Sequence, residues 1–117
     1  MTSVLNVDTI ADKAGTGPVA LTKQQAAKVW FHGTDDVATD SFNVSGTTDN
    51  GTGDYTITFS NAMANATYAL ATCILEDFNM VCISKSQATS NYRVQIENTS
   101  DAAGDSNNSS MLMGDLA

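Results

Sequence analysis

The chain has 117 residues, 42% of them hydrophobic, with 13 acidic against 5 basic side chains and a net charge of −8. That length suits one domain around one core, and the apolar fraction is too high for a disordered chain. Five scattered cations, Lys13, Lys23, Lys28, Lys85 and Arg93, exclude a nucleic-acid interface, which needs clustered Lys and Arg, and a basic patch for anionic membranes.

Residues 1–28 read as an assembly arm. Val4, Leu5, Val7 and Ile10 lie in a strand-like run, Gly15-Thr16-Gly17-Pro18 makes a turn, and Val19-Ala20-Leu21 follows. Thr22 caps a predicted helical turn over 23–28, where Ala, Gln and Lys are good helix formers. A lone two-stranded hairpin is marginal in water. The arm therefore needs cover from the rest of the chain or from a neighbouring subunit. Val4, Leu5, Val7, Ile10, Val19 and Leu21 are its candidate assembly residues.

Residues 29–117 read as an antiparallel β-sandwich of about seven short strands. Residues 28–32 form the first, with Val29 and Phe31 on one face and Trp30 and His32 on the other. Trp30 and His32 join the assembly candidates. Residues 41–45 alternate with Phe42 and Val44 inward, and 46–53 read as a turn around Asn50-Gly51. Tyr55, Ile57 and Phe59 mark the next strand, predicted to pair with 41–45. Residues 68–75 are apolar on both faces, as a central strand would be. They are expected to form a hairpin with 78–84, which would place Cys73 opposite Cys82. Tyr92, Val94 and Ile96 alternate inward, 98–110 reads as a long polar loop, and 111–113 as a last strand.

The chemistry-bearing residues favour structure over catalysis. His32 is the sole histidine and has no metal-ligand spacing around it. A threefold axis stacking Trp30 and His32 would make a pH-sensitive seam. Cys73 and Cys82 are expected as free thiols in a reducing compartment. The acidic residues lack the alternation and distal Glu of a calcium loop and are better explained as turn formers. No nucleophile with its base can be named, and no cofactor is expected, so the chain is not predicted to be an enzyme. Asp35, Asp36, Asp77, Phe78, Asn79, Asp105, Asn107 and Asn108 are candidate contact-loop residues. No run reaches the ~20 apolar residues of a membrane span, and the start shows no basic region followed by an apolar core, so no membrane insertion or secretion is expected.

Residues 3–10 (Ser-Val-Leu-Asn-Val-Asp-Thr-Ile), Gly15 to Val19, Leu21 to Gln24, Ala26 to Lys28, Asp40 to Ser45, Thr48 to Thr56, Phe59, Asn61 to Tyr68 and the closing Gly114-Asp115-Leu116-Ala117 are similar to small tail-fibre-like structural proteins of marine bacteriophages. That resemblance spans about two thirds of the chain and is weak over 73–110. It implies a virion component, assembled in the host cytoplasm, commonly trimeric, with an all-β distal part and no catalytic residues. The expected partners are its own copies, other tail or capsid proteins, and a host-surface glycan. Capsid decoration at threefold sites and carbohydrate binding are the alternative functions.

Overall fold

The computed structural model describes residues 26–34, 36–75 and 79–117. Val4, Leu5, Val7, Ile10, Val19, Leu21, Asp35, Asp77 and Phe78 lie outside the described residues. Eight strands follow one another: β1 (Val29–Thr34), β2 (Val37–Phe42), β3 (Val44–Gly51), β4 (Asp54–Phe59), β5 (Ala69–Ile74), β6 (Met80–Gln87), β7 (Asn91–Asn98) and β8 (Asn107–Met113). They form two four-stranded antiparallel sheets, β2-β1-β8-β5 (sheet 1) and β3-β4-β7-β6 (sheet 2). The sheets pack face to face in a β-sandwich-like arrangement. There is no helix among the described residues; residues 26–28, the described end of the expected helical turn, are not helical.

Alternation builds the core. Val29, Phe31 and Leu112 of sheet 1 meet Tyr55, Ile57, Phe59, Tyr92, Val94 and Ile96 of sheet 2, with Met63 and Tyr68 closing one end. Each such side chain contributes about 1.5–3 kcal/mol by leaving water. The expected inward faces of 29–31, 55–59 and 92–96 are the observed ones. Polar contacts also cross the interior: Tyr92 Oη meets Ser110 Oγ, and Thr72 Oγ1 donates to the Cys82 carbonyl at 2.6 Å.

Four expectations are corrected. Residues 41–45 are not one strand, because Asn43 takes a left-handed backbone (φ 57°) and carries the chain from sheet 1 to sheet 2. Asn tolerates that conformation because its short polar side chain can bond locally. Its Nδ2 donates to the carbonyls of Lys28 and Asn61, both at 3.1 Å, and its Oδ1 accepts from Asn61 N at 2.7 Å. Phe42, expected inside, is 53% exposed as a result.

Residues 46–50 are strand rather than turn. The reversal comes two residues later, at Thr52-Gly53, where Gly51 (φ 129°) and Gly53 (φ 66°) supply the conformations that L side chains avoid.

The expected hairpin of 68–75 with 78–84 does not form. β5 pairs with β8 and β6 with β7, in different sheets. Leu70, Thr72 and Ile74 face Met80 and Cys82 across the interior instead of lying beside them. Strand β5 is an edge strand, not a central one. Cys73 therefore points out of sheet 1 while Cys82 points inward, and both thiols are free.

The long loop is shorter than expected, because β8 starts at Asn107. Its polar Asn-Asn-Ser-Ser start pairs fully with β1 and β5. Asn108, expected at a loop tip, is 1% exposed.

Candidate interaction face

The two outer faces of the sandwich differ sharply. On sheet 1 the register aligns side chains in rows across all four strands. Phe42, Trp30, Met111 and Ala71 occupy one row, since Trp30 is opposite both Phe42 and Met111 and Ala71 is opposite Met111. Asp40, His32, Ser109 and Cys73 occupy the next. Met113 and Ala69 extend the apolar row on its other side.

Phe42 (53%), Met111 (45%) and Met113 (37%) are strongly exposed for their type. A contiguous apolar patch on an otherwise acidic protein marks an interaction site. Between Trp30 and β5 the surface sinks into an open trough of about 340 Å³, walled by Trp30, His32, Ala71, Cys73, Ser109 and Met111. Its polar rim is the hydrogen bond between His32 Nδ1 and Ser109 Oγ, 2.7 Å long.

Sheet 2 is organised around a buried carboxylate instead. Asp54, at the start of β4, is only 7% exposed although it faces outward. Arg93 from β7 covers it with Nε and Nη2 at 2.5 and 2.7 Å, and Lys85 from β6 adds Nζ at 2.5 Å. The Arg93 hydrogen bonds hold the Asp54 carboxyl at about 2, with burial opposing and Lys85 assisting. Lys85 also donates to Gln95 Oε1 at 2.9 Å, and Asn50 Nδ2 donates to Thr56 Oγ1 at 2.8 Å. The cluster around Asp54 is a polar network; beside it on β6, Val81 (47%) and Ile83 (42%) are exposed on the same face.

The structure thus brings Trp30 and His32 onto one face, as alternation along β1 requires. Among the contact-loop residues, Asp36 is half-buried and its carbonyl accepts from Thr47 Oγ1. Asn79 is exposed beside the start of β6. Asp105 accepts from Tyr55 Oη and from Gly53 N at 2.7 Å. The Tyr55 hydroxyl, with the Gly53 N–H, lowers its pKa, so it acts as a loop anchor. Asn107 sits inside β8 and accepts from Thr34 Oγ1. The end of β1, the end of β5 and the start of β8 lie together at one end of the sandwich, where Thr34 is opposite Asn107 and Leu75 N donates to the Asn107 carbonyl at 3.0 Å.

Sequence reasoning missed Phe42, Met111, Ala71 and Cys73 as parts of the face. Only pairing register reveals them, although the apolar exposed alternation of Met111 and Met113 around buried Leu112 was a signal. Among the described residues, no group of three or more His, Cys, Asp or Glu is placed to hold a metal.

Fold and face together define a class: a small all-β, two-sheet domain whose two outer surfaces differ, an apolar row crossing sheet 1 and a charged cluster at Asp54 beside exposed Val81 and Ile83 on sheet 2. Comparison with protein-family models, curated proteins and solved structures gives no match to this chain.

Proposed function

We propose that this chain is a structural subunit of a bacteriophage particle, a fibre- or knob-type surface component that assembles as a homotrimer in the host cytoplasm. The observation that carries the reading is the apolar row Phe42–Trp30–Met111–Ala71, which runs across all four strands of one sheet of an acidic molecule. Such a row disfavours a lone monomer in water and rewards contact with another protein surface. The likeness of the arm and of 40–68 to tail-fibre-like proteins supplies the setting. Copy number and position on imaged particles test it: a few to a few dozen copies on the tail or a head fibre fit. Hundreds of copies at threefold points of the shell would instead make it a decoration protein.

A second reading, carbohydrate recognition, draws on the same face. Trp30 and Phe42 offer two aromatic rings beside Asp40, His32 and Ser109, the mixture of apolar platform and polar tips that sugar rings use. Binding on a glycan array that is lost on Trp30→Ala supports it; an array without hits removes it.

A further inference from the structure

We propose that the outer face of sheet 1 is the docking surface for the N-terminal arm of a neighbouring copy, with aliphatic side chains from Val4, Leu5, Val7 and Ile10 seated in the trough beside Trp30. The inference rests on the structural-subunit reading and names the partner surface within it.

Three observations select this occupant. The first is chemistry. The trough is almost wholly apolar, with Trp30, Met111 and Ala71 on its walls, and the first 21 residues carry Val4, Leu5, Val7, Ile10, Val19 and Leu21.

The second is charge. Residues 1–28 hold Lys13, Lys23 and Lys28 against Asp8 and Asp12, a net charge of +1. Residues 29–117 hold the remaining 11 acids and only Lys85 and Arg93, a net charge of −9. Both of those cations are already engaged by Asp54. The arm is thus the one part of this chain that an acidic neighbouring domain does not repel as a whole; its cations Lys13, Lys23 and Lys28 follow the run of residues 4–10, which itself carries Asp8, and Asp40 stands at the border of the apolar row. Two domains meeting face to face would instead bring like charges together.

The third is direction. Lys28 N donates to the Leu112 carbonyl at 2.9 Å, and the Lys28 carbonyl accepts from Asn43 Nδ2 at 3.1 Å. The chain is therefore still in the line of β1 at Lys28, at the end of the strand. Twenty-five residues reach at most about 85 Å, whereas four strands are only about 15 Å across. The length is ample to reach a neighbour.

Cys73 lies in the row beside the trough and is exposed, so it reports whether the face is covered. The test uses the full chain. Maleimide labelling of Cys73 is compared between the unaltered protein and a Val7→Asp/Ile10→Asp variant, with inward-facing Cys82 as the control that must stay slow in both. The expected result is labelling at least tenfold faster in the variant.

A second variant, Ile10→Cys, is oxidised mildly. The expected product is a disulfide to Cys73 of another chain, running at twice the chain mass and assigned by peptide mapping. Equal labelling rates overturn the assignment, as does an Ile10→Cys bond to Cys73 within one chain. The solution mass separates the two levels. An oligomer with freely labelled Cys73 removes the arm assignment alone; a monomer removes the subunit reading with it.

Discussion

Trp30 and Phe42 stand directly opposite each other on neighbouring antiparallel strands, both on the outer face of sheet 1. Directly opposed aromatic side chains stabilise a strand pair by about 0.2–1 kcal/mol, which explains little of their presence where water reaches them. Phe42 is the last residue of β2, and Asn43 turns the chain away immediately after it. The crossing between sheets therefore fixes where the ring points. Met111 on the other flank of Trp30 completes an apolar surface that the fold itself does not use.

Trp30 is the one tryptophan in the chain, so its fluorescence isolates this face. Assembly through the Phe42–Trp30–Met111 row will shift its emission to shorter wavelength as protein concentration rises. Met111→Asp, at a position 45% exposed, will abolish that dependence and leave thermal stability nearly unchanged, since exposed substitutions usually stay within about 0.5 kcal/mol. A fluorescence titration with a parallel melting curve checks both.

Asp54 predicts an acid limb in stability. Its carboxyl is held at about 2, chiefly by Arg93, against an ordinary value of 3.8. The folded state therefore prefers the ionised form more than the unfolded chain does. The stabilisation is complete above about pH 4 and is lost as pH falls toward about 2. Asp54→Asn will cost about 1–2 kcal/mol at neutral pH, discounted because Arg93 and Lys85 remain partly in water. It will also flatten the profile between pH 4 and 2 in urea melts. Arg93→Met will cost more than Lys85→Met, because Arg93 makes two bonds to the carboxylate and Lys85 one.

The legibility of this chain divides along its polar residues. Strands carried by strict alternation, Tyr55-Ile57-Phe59 and Tyr92-Val94-Ile96, were visible because period-two burial needs no partner to be recognised. The polar start of β8 was not. Asn107 to Ser110 reads as loop by composition, yet Ser110 is buried because Tyr92 in the opposite sheet reaches it. The break at Asn43 was hidden inside a well-patterned run, since a left-handed asparagine leaves no mark on hydrophobic periodicity. The fate of residues 75–79 was hidden for a related reason: a short connection joins either a hairpin or two facing sheets, and only long-range pairing decides. Trp30 and His32 could be set on one face from β1 alone, but their neighbours Phe42, Met111 and Cys73 needed the strand order.

The Tyr92–Ser110 contact is buried, with Tyr92 fully inaccessible and Ser110 5% exposed. Tyr92→Phe keeps the ring and strands the Ser110 hydroxyl. It will cost about 1–3 kcal/mol, the usual penalty for a buried polar group left without its partner. Tyr92→Phe combined with Ser110→Ala will recover part of that loss, measured as a double-mutant cycle in denaturant.

Gly53 and Gly46 give a contrasting pair. A Cβ on Gly53 would lie 2.4 Å from the Ile96 carbonyl, at a backbone φ of 66°, whereas nothing lies within 4 Å of one on Gly46. Gly53→Ala will destabilise by about 2 kcal/mol or more through strain and clash. Gly46→Ala will change stability by less than about 0.5 kcal/mol. Urea midpoints of the two variants against the parent decide it.

The mass in solution of the intact protein, measured beside Met111→Asp by multi-angle light scattering, bears most directly on whether the apolar face of sheet 1 joins one copy to another. The parent is expected at three times the 12.3 kDa chain mass and the variant at or near the single-chain value. A parent that stays at 12.3 kDa across the concentration range, or a variant that assembles as fully as the parent, contradicts the account.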